Sequence, residues 1–288
     1  MTALQTIASL AEIADGYDVL LCDVWGVIHN GRESFPAACA ALQRFRETRG
    51  PVVLISNAPR PSADVHAQLD ALGVPRAAWS AFVSSGDATR VLLAQRAPGP
   101  AWAIGPDRDW TLYEGLGLDF TGPEDAAFIA CTGPVDDTWE TPDDYRDRLA
   151  LCAARKIEMI CANPDRVVQR GDTLVYCGGA LADLYEALGG PVLMAGKPFA
   201  PIYDLALIEA AALLGRPADR ARVLCVGDGV QTDVRGAMDQ ALDCLFIAAG
   251  IHGDKALGAD GRLDPAKAAA LLSDDAAAAR FATAALTW

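Results

Sequence analysis

Residues 223–233 read VLCVGDGVQTD. Four apolar residues, Val223 to Val226, run straight into Gly227, a carboxylate at Asp228, a second glycine and a second carboxylate at Asp233. An apolar run that is short, unbroken and without alternation fits a strand buried on both faces. Asp228 then stands at the C-terminal end of that strand. Asp233 falls one turn later, at the start of a segment whose pattern predicts a helix over Asp233–Gln240. In open parallel sheets, ligands gather just past the C-terminal ends of the strands.

Outward from this stretch the same unit recurs. Apolar runs at Val19–Cys22, Val52–Ile55, Ala81–Val83, Ala101–Ile104, Ala127–Cys131, Ile157–Cys161, Val192–Ala195 and Cys244–Ala248 alternate with helical patterns. The helical patterns include Pro36–Arg49, Asp64–Leu72, Asp87–Gln95, Asp143–Arg155, Ala180–Leu188 and Pro201–Leu214. The rhythm predicts an α/β protein, a parallel sheet with helices on both faces. The Ala-rich end, residues 273–288, reads as a terminal helix.

The chain has 288 residues, 52% of them hydrophobic, enough to bury a sizeable core and to exclude wholesale disorder. Its formal charge of −14 excludes any global attraction to nucleic acid or an anionic membrane. Binding a small anion then requires positive charge concentrated at one place. Eight cysteines occur without a C-x-x-C pair, mostly in or beside apolar runs, which points to buried thiols in a reducing cytoplasm. The N-terminal segment lacks a basic start, and no apolar run approaches the roughly 18–20 residues that span a bilayer. The expected location is cytoplasmic, with no membrane partner.

Four segments after apolar runs carry polar residues: DVWGVIHNG from Asp23, SNAPR from Ser56, GKPFAPIYD from Gly196, and GDGVQTD. An aspartate at a strand end can attack phosphorus and form an acyl phosphate, splitting one hard hydrolysis into two displacements. Ser56 and the turn amides, that of Asn57 included, can donate to phosphate oxygens. Lys197 supplies a point charge. Asp23, Asp228 and Asp233 would repel one another unless a hard cation sat among them, and oxygen ligands of this kind suit Mg²⁺.

These residues, in this order, resemble the haloacid dehalogenase-like superfamily. Its four signatures correspond to Asp23-Val-Trp-Gly-Val27, Ser56, Lys197 and Gly227-Asp228-Gly-Val-Gln-Thr232-Asp233. ISNAPR, ANPD, GKP and GDGVQTD look like the class IIA branch, with its 4-nitrophenylphosphatase-, pyridoxal phosphatase- and sugar- or nucleotide-phosphatase-like enzymes. The resemblance implies a Rossmann-like core, residues 1–87 plus 191–288, with an inserted α/β cap at 88–190 that closes over the site. The segment between Ser56 and Lys197 is far longer than one crossover needs and carries its own predicted strands, in keeping with an insertion. The SSGD turn at 84–87 and the GGP turn at 189–191 are candidate hinges. The resemblance further implies a small phosphorylated metabolite as substrate, Mg²⁺ as cofactor and a homodimer formed through the cap. It makes Asp23, the Trp25 backbone carbonyl and Asp228 the metal ligands, with Asp233 beside the metal or Lys197. Asn163 and Asp165 of the cap are expected to face the substrate or the core loops.

One position departs from the family pattern. Where the family carries a second aspartate that protonates the leaving oxygen and then activates water, this chain has Trp25. Indole cannot act as an acid or base near neutral pH. His29, in the same loop, is the candidate replacement. Without a replacement, the alternative is a phosphometabolite-binding sensor or scaffold that turns over weakly or not at all. His66 reads as a surface residue and His252 as a loop residue. Arg60 and Arg166 could meet a distal anion, and Cys177-Gly178-Gly179 resembles the family's Gly-rich turn before the last helix of the cap, a phosphate cradle being the weaker reading.

Overall fold

The computed structural model describes residues 4–170, 173–274 and 277–288. In chain order its strands are β1 (Gln5–Thr6), β2 (Val19–Asp23), β3 (Val52–Ser56), β4 (Ala81–Ser84), β5 (Ala101–Ile104), β6 (Phe128–Cys131), β7 (Glu158–Cys161), β8 (Val167–Arg170), β9 (Thr173–Tyr176), β10 (Val192–Met194), β11 (Val223–Gly227), β12 (Asp243–Ile247) and β13 (Phe281–Thr283). The helices are α1 (Pro36–Thr48), α2 (Ser62–Ala71), α3 (Ser85–Ala94), α4 (Arg146–Ala154), α5 (Gly178–Ala187), α6 (Ala200–Leu214), α7 (Arg235–Asp239), α8 (Gly253–Ala256) and α9 (Pro265–Asp274).

The chain divides into two units. The first comprises Met1–Ser56, Val65–Val83 and Lys197–Trp288. It holds a seven-stranded sheet in the order β1-β13-β12-β11-β2-β3-β4. The pairings from β1 to β3 are parallel. All five residues of β2 and of β11 are buried, as unbroken apolar runs covered on both faces require. β2 lies between β11 and β3, with Cys22 level with both Val226 and Leu54, and Asp23 level with Ile55. Ser56 and Asp228 therefore each extend one residue beyond their flanking strands' match with Asp23.

The second unit comprises Asn57–Asp64 and Ser84–Gly196. It has its own parallel sheet, β10-β7-β6-β5, and an antiparallel pair, β8-β9. Alternate residues of its central strands feed two cores. Ile129, Cys131, Met159 and Cys161 pack with Tyr145, Leu149, Leu181 and Tyr185. Phe128, Ala130, Ile160 and Ala162 pack with Leu93, Leu112 and Tyr113. That two-residue period identifies strands covered on both sides.

Three sequence expectations change. Val192–Met194, placed with the core, pairs instead with β7, so the second unit runs on to Gly196. The SSGD segment is no simple turn: Ser84 caps α3, its hydroxyl accepting from the Asp87 amide (2.9 Å) while Asp87 accepts from the Ser84 amide (2.9 Å). In the Ala-rich end, Phe281–Thr283 is a strand paired with β12, with Leu245 opposite Phe281. An open sheet position overrides alanine's helix preference there. Part of the expected helix, residues 275–276, lies outside the described residues.

All eight cysteines are buried free thiols. No helix among the described residues is long and apolar enough to cross a membrane.

Candidate active site

In the first unit β2 ends on Asp23, and the turn beyond it folds back on itself. The Gly26 amide donates to the His29 carbonyl (2.8 Å) and the Ile28 amide to the Val24 carbonyl (3.0 Å). Gly26 has φ +80°, and a Cβ there would lie 2.1 Å from the Asp228 carboxylate. Glycine thus lets the loop after Asp23 run directly against the loop after β11. That second loop is a π-turn, Val230–Val234, ahead of α7, rather than the plain helix start expected from the sequence. The Asp233 and Val234 amides both donate to the Gly229 carbonyl, at 2.8 and 3.1 Å. The widened turn carries the Asp233 carboxylate inward, where Oδ2 accepts from the Gly229 amide (3.0 Å).

Carboxylate oxygens of Asp23, Asp228 and Asp233 all lie within 4.8 Å of one another, and all three residues are buried. The Lys197 ammonium, itself 3% exposed, donates to Asp23 Oδ1 and to Asp233 Oδ1, the latter at 2.8 Å. Asp228 Oδ2 accepts from the Ile251 amide (2.6 Å). Burial first, then the Asp233 charge, raises the Asp23 carboxyl well above its usual range, and Lys197 only partly offsets them. The same two causes push Asp228 up to about 6. Burial opposes the charge on Lys197, but Asp23 and Asp233 outweigh it and raise its pKa. Three carboxylates against one ammonium leave an excess of buried negative charge, and oxygen donors are what a hard divalent cation takes. The donor set therefore fits such an ion.

Trp25 sits two residues past Asp23 with its side chain 56% exposed. Its indole packs on Gly31, where a Cβ would lie 2.2 Å from the ring, and stands edge-on to His29 at 5.4 Å. His29 is buried, its Nδ1 accepts from the Gly31 amide (3.0 Å), and burial lowers its pKa below the ordinary 6.5. A neutral imidazole held by a backbone amide is poorly placed to deliver a proton.

Two family models match, one described as haloacid dehalogenase-like hydrolase over residues 20–119 and one as HAD-hydrolase-like over 194–279. A crystal structure of a haloacid dehalogenase-like hydrolase from Brucella suis shares 43% identity, covers 98% of this chain and 100% of its own, and superposes with a TM-score of 0.83. The chain belongs to the haloacid dehalogenase-like family of hydrolases. Other relatives of this hydrolase are more distant. A 5'-nucleotidase of Bacillus subtilis, YutF, is 24% identical over 82% of this chain and 88% of its own. A D-glycerol 3-phosphate phosphatase of Mycobacterium tuberculosis is 28% identical over 84% of this chain, which spans only 66% of that protein.

The remaining residues singled out from the sequence fall in the second unit of this hydrolase, apart from Ser56, which ends β3, and the two histidines. Asn57 Nδ2 donates to Asp165 Oδ1 (3.0 Å), and the Asp165 amide donates to Asn163 Oδ1 (3.0 Å). Arg166 is no anion site: its guanidinium pairs with Asp183 at 2.5 and 3.0 Å. Nor does Cys177-Gly178-Gly179 offer a cradle, since the Gly179 amide is spent on the Asp165 carbonyl (3.1 Å). His66 is half-buried rather than a surface residue, its ring 5.0 Å from Trp79 and 5.9 Å from Phe82. His252 precedes α8, with its ring 6.5 Å from Phe246. Sequence reasoning missed the Asn57–Asp165 bond, because the two residues are distant in the chain and neither carries a signal of pairing. It also missed Gly31, whose only sign is its place beside a bulky indole.

Proposed function

We propose that this hydrolase cleaves small phosphate monoesters in the cytoplasm through an aspartyl phosphate on Asp23. The observation that carries the reading is the buried Lys197 bonded to both Asp23 and Asp233, with Asp228 in reach. Named phosphatases among its relatives support turnover over the sensor reading. Asp23 attacks phosphorus in line. Lys197 holds the nucleophile and a phosphoryl oxygen. The Ser56 hydroxyl and the Asn57 amide donate to the other oxygens, and Asp233 keeps Lys197 in place. Asp23, Asp228 and the Trp25 carbonyl, with Asp233 beside them, would hold Mg²⁺, which supplies neutralisation of the dianionic phosphate when bound. Asp165 acts on the substrate side by fixing Asn57, and Asn163 by fixing Asp165. His29 supports the turn rather than the proton transfer.

The test is release of phosphate from 4-nitrophenyl phosphate with Mg²⁺, after chelation, and after Mg²⁺ is restored. Loss on chelation and recovery on restoration are expected; release indifferent to both would overturn the metal assignment. The site also sets a pH dependence. Asp228, raised to about 6, binds a proton below that value, and protons compete with the cation. Cation affinity is therefore expected to rise with pH through about 6, at roughly tenfold per unit for one competing proton, with the raised Asp23 carboxyl adding to the rise. Calorimetric titration of Mg²⁺ at pH 5 and pH 7 checks this, and equal affinities would contradict it.

A further inference from the structure

Attack by Asp23 makes one bond and breaks another. An Asp23 oxygen binds phosphorus as the bond to the leaving oxygen breaks, and that oxygen departs with the bonding pair. Its charge must then be met either by a proton or by its own stability as an anion. The turn after Asp23 is where a proton donor would have to stand if this loop supplied one. Val24, Val27 and Ile28 are buried apolar residues, and Trp25 presents an indole. His29 is buried, and its Nδ1 is taken by the Gly31 amide. Asp233 accepts from Lys197 and from Gly229, and the Lys197 ammonium spans Asp23 and Asp233. The turn thus carries no carboxylic acid, and its one imidazole is buried with Nδ1 engaged. It carries instead a large exposed indole, fixed from behind by Gly31 and from the edge by His29.

We infer that the enzyme takes phosphate esters of acidic hydroxyls, aryl phosphates above all, and turns over ordinary alkyl phosphates poorly. The inference rests on the phosphohydrolase reading and names its substrate class. An aryl leaving group departs as a phenolate without help, its charge spread into the ring. An alkoxide, far more basic, cannot leave at a useful rate unprotonated. The exposed indole offers an aromatic leaving group a face to stack on, which an alkyl group uses less well. In the second displacement, water attacks the phosphorus of the aspartyl phosphate, inorganic phosphate leaves, the proton of water passes to solvent or phosphate, and the Asp23 carboxylate is regenerated. That step is common to every substrate and does not sort them. Its slowness limits kcat alone, whereas kcat/KM reports the first displacement.

The experiment measures kcat/KM of the full chain with Mg²⁺ for substituted phenyl phosphates of like size, then for glycerol 3-phosphate. The phenyl series changes leaving-group acidity with little change of fit. Expected is a steep fall, about tenfold or more from 4-nitrophenyl phosphate to phenyl phosphate, whose leaving group has a pKa of ~10. Glycerol 3-phosphate is expected to lie about 10³-fold or more below 4-nitrophenyl phosphate, within the usual worth of general acid catalysis. Trp25→Asp, which puts a carboxylic acid in the turn, is expected to speed the alkyl ester far more than the nitrophenyl ester. Trp25→Ala is expected to keep the steep slope. The wild-type series decides the matter even if neither variant folds. Rates within about tenfold across the whole series would mean that a donor outside the turn serves the leaving oxygen, and would overturn the inference alone. Metal-dependent release from none of the esters would overturn the phosphohydrolase reading and this inference with it.

Discussion

Asp23→Asn is expected to abolish phosphate release, on the order of 10⁴-fold or more, while leaving the fold intact. The amide has nearly the shape of the carboxylate, and its oxygen can still accept from Lys197, so the buried cluster loses a charge and not a contact. That lost charge is one the fold opposes. Burial and the neighbouring Asp233 and Asp228 all raise the Asp23 pKa, so folding works against its ionised form. A raised carboxyl pKa means that the metal-free enzyme is less stable at pH values where the group is ionised than where it is protonated. Neutralising the residue removes that penalty at high pH. Without metal at pH 8, the variant is therefore expected to melt no lower than wild type, and its melting point to rise less on adding Mg²⁺. A steady-state assay together with melts in chelator and in Mg²⁺ gives both readouts. Turnover close to wild type would remove Asp23 as the nucleophile. A collapse of the metal-free fold would mean that the Asp23–Lys197 attraction outweighs the repulsion around it.

The stretch at 223–233 was legible because burial on both faces leaves an unbroken apolar run, and in a parallel sheet such a run leads into a ligand loop. The same logic located β2 and β3, and with them Asp23 and Ser56. It failed where tertiary context decides. Nothing in Val192–Met194 says which of two sheets it will join, and it joins β7. Lys197 therefore comes after a strand of the second unit, not after one beside β2. Phe281–Thr283 sits in a sequence that favours helix, and a vacant place beside β12 makes it a strand. Val167–Arg170 and Thr173–Tyr176 mix polar with apolar residues and so do not stand out as apolar runs, although β-branched residues on either side of Gly171-Asp172 are a hairpin signal. In the cluster, the residues that meet were readable because each stands at or just past the end of an apolar run, where a parallel sheet gathers polar groups. How they share hydrogen bonds was not. The π-turn that turns Asp233 toward Lys197 depends on the crowding of two loops, which no local pattern encodes.

Lys197→Met is expected to cost both activity and fold. Methionine roughly keeps the length and volume of the side chain, so the change isolates the charge. Lys197 is 3% exposed and donates to two buried carboxylates. Removing one partner from a buried ion cluster leaves the others uncompensated, a loss of about 3–5 kcal/mol. For a unit of this size that is a fall in melting temperature of roughly 10 °C. The sign of two further responses separates this account from a simple loss of packing. Acidification lets the orphaned carboxylates protonate, so the deficit against wild type should shrink as pH falls. A divalent cation placed among Asp23, Asp228 and Asp233 replaces part of the missing charge, so Mg²⁺ should stabilise the variant more than it does wild type. Turnover should not return with stability, because the cation cannot reproduce the ammonium's bond to both the nucleophile and a phosphoryl oxygen; a loss of about 10²–10³-fold is expected even with saturating Mg²⁺. Melts at pH 5.5 and 8, with and without Mg²⁺, read the first two responses, and the phosphate-release assay reads the third. A deficit unchanged by pH and by cation would show that Lys197 holds the loops by packing alone, and that its place between Asp23 and Asp233 is not what keeps the carboxylates together.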